Sequence, residues 1–455
     1  MIPPLKNKGI GLISLGCAKN LVDSEVLMKQ LEFSKFQIVF EPETFQGIDT
    51  IIMNTCGFIG DAKQESVEAI LYFAEAKKTG KINRLFLMGC LTERYRQELT
   101  MEIPEADGIF GVNELPEILR EIGGEFRYNL LGERIITTPS HYAYLKIAEG
   151  CDRTCSFCAI PMIRGAHRSK PLEEVLAEAA YLAGKGVKEL LVISQDTTFY
   201  GIDLYGKRKL TDLLRGLAAI HGIEWIRIHY TYPHAFPVEM LHIIRDHPNI
   251  CNYVDIPLQH INNRILRSMK RGLTAGKTRE LLETIRNVIP DVTIRTTFIT
   301  GYPGETEHDF DELCRFVESS RFDRLGVFTY SHEEGTPAFS LQDTVPGKIK
   351  NQRQKHLMQI QEQISLEKNR QQIGNKIRVL VDREEEEFFV GRSEADSPEV
   401  DQEVLIRKPA PSSRELRGVY PANSGTSTSG IQVGDFYRIG ITEASHFDLI
   451  GETDQ

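Results

Sequence analysis

The run Glu149-Gly-Cys151-Asp-Arg-Thr-Cys155-Ser-Phe-Cys158 narrows this 455-residue chain more than any other feature. It reads C-x3-C-x2-C, so three thiols stand on one short loop. Three such thiolates can wrap one face of an iron–sulfur cube and bind three of its four irons. No fourth cysteine stands nearby, which would leave the last iron open to an exchangeable ligand. Zinc fits less well. A structural zinc asks for four ligands at finger spacing, and His167, the candidate fourth, lies nine residues past Cys158.

The other five cysteines divide into two kinds. Cys17 follows the apolar run Gly9 to Leu15, Cys56 follows Thr50-Ile-Ile-Met53, and Cys90 follows Arg84-Leu-Phe-Leu87. Each ends a predicted strand and precedes a helical stretch. In a parallel sheet all strand C-termini share one edge, so this repeated placement predicts a second cluster of three thiols. Cys251 and Cys314 have no partner in spacing and read as small buried hydrophobes.

Charge and hydropathy exclude several classes. With 54 Lys plus Arg against 64 Asp plus Glu, the net charge is −10. General nucleic-acid binders carry a basic surplus, because neutralising phosphates supplies their affinity. No stretch approaches the roughly 18 apolar residues of a membrane span. Met1-Ile-Pro-Pro-Leu-Lys-Asn-Lys8 has no apolar segment behind it. The expectation is a cytoplasmic protein with no membrane partner, whose thiols stay reduced.

Strand and helix patterns divide the chain into three blocks: about 8–125, 137–367 and 370–455. The first alternates strands with helices such as Ser24–Phe33 and Asp61–Lys77, which predicts a parallel α/β sheet. In the second, six strands are expected: Tyr144–Ala148, Glu189–Ser194, Trp225–Tyr230, Tyr253–Ile256, Val292–Ile299 and Arg324–Tyr330. Six strand–helix units fall short of the eight that close a full barrel, so the prediction is an incomplete (β/α)6 barrel with the cysteine loop at its C-terminal mouth. Ser194-Gln195-Asp-Thr-Thr-Phe-Tyr-Gly201 and Thr297-Phe-Ile-Thr-Gly301-Tyr302-Pro-Gly304-Glu305 end two other strands at that mouth. The glycines of the latter would let backbone approach a ligand closely. Arg295 is left with two roles, pairing with a ligand carboxylate or forming an ion pair inside the barrel. A long helix, Lys348–Arg370, leads to the third block. Its strands Lys376–Asp382, Phe388–Gly391, Glu403–Arg407 and Phe436–Thr442, with a long exposed loop over Pro409–Gly430, predict a small antiparallel β-barrel of the OB-like kind.

An aromatic residue before the last cysteine, here Phe157, gives the loop a form that resembles the signature of the radical S-adenosylmethionine superfamily. The whole chain resembles the radical methylthiotransferases, which join an N-terminal α/β domain with three motif cysteines to a radical-cluster barrel and a C-terminal TRAM domain. The resemblance implies two 4Fe-4S clusters, with S-adenosylmethionine as both methyl donor and radical source. It implies that Cys151, Cys155 and Cys158 hold the radical-generating cluster, and that Cys17, Cys56 and Cys90 hold an auxiliary one carrying the sulfur. S-adenosylmethionine is expected against Phe157, Gln195, Arg295, Thr297, Gly301, Tyr302 and Gly304. No catalytic side chain is assigned beyond the cluster ligands.

One branch of that family modifies adenosines in tRNA, and the other the β-carbon of an aspartate in ribosomal protein S-twelve. Ser14-Leu-Gly-Cys-Ala-Lys-Asn-Leu-Val-Asp-Ser-Glu25, Glu149-Gly-Cys151, Gln195-Asp-Thr-Thr198 and Gly391-Arg-Ser-Glu-Ala-Asp-Ser-Pro-Glu-Val-Asp401 resemble the second branch. Ala18 stands where that branch often has proline, and the run Ser412–Gly430 is longer than usual. From residue 370 onward there are 10 Lys plus Arg against 16 Asp plus Glu. The acidic stretch ending at Asp401 is expected to suit a basic ribosomal protein through complementary charge, whether free or in the small subunit. An electron donor and a sulfur source are further partners, and tRNA is disfavoured. A tRNA methylthiotransferase is the alternative. A non-catalytic iron–sulfur or RNA-binding protein is the second, and it leaves the barrel unexplained.

Overall fold

The computed structural model describes residues 9–130, 132–408 and 430–453. Pro409–Ser429, most of the expected long loop, lies outside them, as do residues 1–8, where the N-terminal segment was read.

Three strands in the first block are buried on both faces around apolar runs, which favours parallel pairing under helices. They are β1 (Gly9–Ser14), β3 (Ile48–Thr55) and β4 (Arg84–Gly89). With the edge strands β2 (Gln37–Phe40) and β5 (Gly108–Ile109) they form a parallel sheet in the order β2-β1-β3-β4-β5. The Ala18–Phe33 helix contributes Leu27, Met28 and Leu31 to one face, and the Gly60–Lys78 helix contributes Ile70 and Phe73 to the other.

The second block opens with β6 (Tyr142–Lys146). A two-stranded antiparallel ladder of β7 (Ala148–Glu149) and β8 (Arg168–Ser169) follows and frames the cysteine loop. The remaining strands are β9 (Glu189–Ile193), β10 (Trp225–Ile228), β11 (Tyr253–Asp255), β12 (Thr293–Thr300) and β13 (Arg324–Thr329). They run parallel, in chain order, as the two ladders β6-β9-β10 and β11-β12-β13, joined where Ile226 bridges Ile250. The outer faces share one large apolar core with the flanking helices. The inner face is mixed: Glu189, Arg227 and Arg295 stand beside Tyr142, Tyr144, Leu191, Ile193 and Trp225.

After the Gly347–Arg370 helix, β14 (Lys376–Glu384), β15 (Phe388–Ser393), β16 (Glu403–Arg407), β17 (Phe436–Ala444) and β18 (Asp448–Thr453) close a small barrel in the order β14-β15-β16-β18-β17. Val379, Val381, Phe389, Val404, Ile406, Ile439 and Ile441 fill it. Each such side chain contributes about 1.5–3 kcal/mol by leaving water.

The blocks are tied by buried ion pairs and aromatic contacts. Arg134 joins Glu25 of the first block (2.6 Å) to Glu178 of the second (3.3 Å). Trp225 of β10 meets Phe436 of β17 edge-on at 4.8 Å.

Candidate active site

Adjacency of β1, β3 and β4 brings their three following cysteines to one sheet edge. Gly16 has φ +92°, and a Cβ there would lie 2.8 Å from the Cys56 thiol, so glycine is what lets these two loops meet. Gly89 has φ +106°, and a Cβ there would lie 2.6 Å from the carbonyl oxygen of Thr55. Cys56 and Cys90 are buried and Cys17 is exposed. Burial pushes the Cys90 thiol up to about 12 and raises that of Cys56, and each is raised further by neighbouring thiols of the trio.

Cys151, Cys155 and Cys158 lie within the frame of β7 and β8. Gly150 has φ +75°, and a Cβ would strike Ala166 O and stand 2.6 Å from Gly165 O. The Cys158 N–H donates to Cys155 O (3.2 Å), and the Arg153 N–H donates to the Cys151 thiol (3.4 Å). Arg271 Nη1 donates to Cys155 Sγ at 3.3 Å, and the Tyr232 hydroxyl lies 3.4 Å from that sulfur. Burial pushes the Cys151 thiol to about 11 and the Cys158 thiol to about 12.

Among the described residues, no three Cys, His, Asp or Glu side chains converge on a point where a single metal ion would sit. A four-iron cube has a different requirement: each thiolate binds a different iron, so the thiols stand apart. Three thiols on one loop, with a buried guanidinium against one sulfur, fit such a cube. His167 is committed elsewhere, with its Nε2 3.0 Å from Ser169 Oγ.

Arg164 links the two trios. It ends the short helix Ile160–Arg164 just after Cys158, and its Nη2 lies 3.5 Å from the Cys90 sulfur. Its Nη1 donates to Glu149 (2.8 Å) and Asp23 (3.1 Å), and Lys146 bonds both carboxylates. Burial opposes ionisation of Glu149, but Lys146 and Arg164 outweigh it and hold the carboxyl well below its usual range. Gln195 Nε2 donates to Glu149 Oε1 at 2.9 Å, while Gln195 Oε1 is buried without a protein partner.

The other predicted contacts fall as follows. Phe157 packs with Ile265, Met269, Tyr302 and Tyr330, and the Tyr302 hydroxyl lies 2.9 Å from Ser156 Oγ inside the cysteine loop. Thr297 lies midway along β12, its carbonyl accepting from Gln259 N. The room made by Gly301 (φ +75°) is filled by the Lys350 side chain, and Gly304 N donates to Thr344 Oγ1 at 2.9 Å. The close approach these glycines permit is thus to protein groups. Arg295 bonds Asp255 and Asp401, each at 3.2 Å, which is the ion-pair role left open by the sequence.

The acidic stretch Gly391–Asp401 does not form the open surface expected of it. It lies in the seam between the small barrel and the strand barrel. Asp396 bonds Arg324 (2.8 Å), Asp401 accepts from Tyr253 (2.7 Å), and Glu399 faces the hydroxyls of Tyr142 (3.3 Å) and Tyr144 (3.2 Å). Arg392 stands 2.8 Å from Glu189 and donates to Asp382 (2.6 Å). These carboxylates neutralise the barrel's own arginines, so the charge sum over this block misjudges what is presented to a partner. Within the stretch Glu399 keeps an exposed side, and elsewhere in the block Glu384–Glu387, Glu443 and Glu452 are exposed.

Sequence reasoning missed Arg164, Tyr232 and Arg271. Arg164 carried a local signal, as a basic residue six positions past Cys158. Arg271 carried none, because its contact with Cys155 spans 116 residues.

Residues 145–317 match the radical SAM superfamily, residues 10–111 an uncharacterized protein family, UPF0004, and residues 373–453 the TRAM domain. The chain is 50% identical over 448 residues to the ribosomal protein uS12 methylthiotransferase RimO of Flavobacterium johnsoniae, covering 98% of each. It is 46% identical to the protein of that name from Bacteroides fragilis strain YCH46, covering 98% of this chain and 100% of the relative. Among solved structures it shares the fold of the radical S-adenosylmethionine methyltransferase TsrM from Kitasatospora setae, with a TM-score of 0.56 at 14% identity over 73% of this chain and 77% of that one. Among the described residues no helix is long and apolar enough to cross a membrane. A thiol loop at the mouth of a six-stranded barrel, joined to full-length relatives of one name, leads to one assignment: the chain belongs to the radical S-adenosylmethionine methylthiotransferase family and is an enzyme that uses S-adenosylmethionine and a 4Fe-4S cluster.

Proposed function

We propose that this enzyme methylthiolates the β-carbon of an aspartate in ribosomal protein uS12, in the cytoplasm, using two clusters. Cys151, Cys155 and Cys158 hold one, and Cys17, Cys56 and Cys90 the other. When bound, the first cluster supplies reductive cleavage of S-adenosylmethionine and the second carries the sulfur for transfer. The observation that carries the reading is Arg164, which follows the last cysteine of one trio and touches a thiol of the other. The blocks 8–125, 137–367 and 370–455 act as auxiliary-cluster, radical and TRAM domains.

The chain's own groups do the positioning. Arg271 places a cation against the Cys155 sulfur, where it offsets thiolate charge in a buried setting. The Tyr302 hydroxyl clamps Ser156, fixing the loop between two of its cysteines. Phe157, Tyr302, Met269 and Tyr330 keep water from the mouth. Phe157, Gln195, Thr297 and Tyr302 contact S-adenosylmethionine, with Arg295, Gly301 and Gly304 shaping the floor and turn behind them.

A strain lacking the protein tests the substrate. The intact mass of its uS12 is expected to fall short of the parent's by one methylthio group, with tRNA nucleosides unchanged. A normal uS12 mass with a missing methylthio-adenosine would transfer the enzyme to the tRNA branch.

A further inference from the structure

Nine lysines and arginines are buried among the described residues. Seven of them face a carboxylate within ion-pairing distance: Arg134, Lys146, Arg164, Arg227, Lys350, Arg353 and Arg392. An eighth, Arg271, donates to the Cys155 sulfur and to Pro257 O. Lys19 is the exception. It is 7% exposed, yet its ammonium touches only the face of the Tyr230 ring, 3.1 Å from the centroid. A buried ammonium with no anion is costly, and an aromatic face offsets only part of that cost. Its Nζ still reaches solvent.

The location gives this cation a use. Lys19 is two residues past Cys17, on the first turn of the Ala18–Phe33 helix. Tyr230 is two residues past β10, at the barrel mouth. Tyr230 has φ +58°, a conformation disfavoured for a residue with a Cβ, and it is pinned by its N–H donating to Asp255 (2.9 Å) and its carbonyl accepting from Thr197 (3.1 Å). A strained, pinned ring thus holds an unpaired ammonium between the auxiliary thiols and the barrel mouth, where the reacting carbon must lie.

We infer that Lys19 is a specificity-determining residue whose ammonium receives the side-chain carboxylate of the substrate aspartate and so places the adjacent β-carbon between the two centres. This rests on the aspartate reading above. The carboxylate supplies the anion the protein withholds, and a neutral side chain in its place leaves the ammonium uncompensated.

Calorimetry of the cluster-loaded full chain with isolated uS12, and with uS12 carrying asparagine at the target position, tests this. The parent enzyme is expected to bind the aspartate form about tenfold to a hundredfold more tightly. Lys19→Met is expected to erase that preference while binding the asparagine form as the parent does, and Lys19→Arg to keep most of it. Iron content per chain confirms loading, and Tyr230→Leu, expected to weaken the preference, carries the comparison if Lys19→Met does not fold. A Lys19→Met enzyme that still prefers aspartate, or that loses both forms equally, overturns the role of Lys19. A parent enzyme that binds neither form overturns the aspartate reading itself, and the inference with it.

Discussion

At Gly16 the sulfur of Cys56 stands where a methyl group would otherwise be. Gly16→Ala therefore forces the first two thiols of the N-terminal trio apart, at a backbone angle that alanine resists. On the proposed two-cluster arrangement, iron bound per chain is expected to fall by about half, because the C-x3-C-x2-C loop is untouched. The cysteines give a sharper separation. Cys155→Ala is expected to abolish formation of 5′-deoxyadenosine under reducing conditions. Cys56→Ala is expected to keep it while forming no methylthiolated product, with both read by chromatography. Normal cleavage in Cys155→Ala would remove that loop from the chemistry.

Among the elements, the segment Arg392–Asp401 takes the charges of Arg392, Asp396 and Asp401 out of water. Arg392 and Arg227 hold the Glu189 carboxyl below its ordinary 4.5 against the opposing pull of burial, and His141 and Arg392 do the same for Asp382 below 3.8. Such groups stabilise the fold fully above those ordinary values and lose that contribution as pH falls below them. His229 lies 3.0 Å from Ser397, and burial pulls it below its ordinary 6.5, so its contribution is full above that value and lost below it. The thermal unfolding midpoint is expected to fall in two stages, first below about 6.5 and again below about 4.5, and His229→Gln is expected to shrink the first stage, which His167, also pulled down by burial, shares. Arg392→Met leaves Glu189 with Arg227 and Asp382 with His141, and is expected to cost about 3 kcal/mol in denaturant unfolding.

This segment also marks where sequence reading stopped. The barrel strands were legible within about two residues because β9, β10 and β12 are short β-branched runs between polar turns. The convergence of Cys17, Cys56 and Cys90 on one edge was legible because each directly follows an apolar run. The strand Asp448–Thr453 was not, since Gly451 and its polar ends give no alternation. Nor was the burial of Asp396 and Asp401, because their partners Arg324 and Arg295 are 72 and 106 residues away and local composition describes only an acidic stretch.

For the molecule as a whole, that seam makes the TRAM domain part of the barrel's electrostatics. A chain ending at residue 370 would leave Arg295 with Asp255 alone, Arg324 without Asp396, and Trp225 without Phe436. It is expected to be insoluble or to unfold at markedly lower temperature, measurable by scanning fluorimetry, where a dispensable substrate clamp would leave a stable core. The net charge of −10 acts at longer range. The rate of association with a basic protein is expected to fall about tenfold as salt rises from roughly 0.05 to 0.5 M, with a smaller change in dissociation.

The same seam bears on how the chain is made. Synthesis runs from the N-terminus at about 5–20 residues per second, so Arg295 of β12 and Arg324 of β13 emerge well before Asp401 and Asp396, which pair with them. The strand barrel cannot reach its final charge balance until Asp401 has left the exit tunnel. A nascent chain broken off between residues 370 and 396 carries all six motif cysteines on a scaffold whose Arg324 lacks its carboxylate. Such a fragment is expected to be cleared by proteases faster than the full chain, measurable as a shorter half-life.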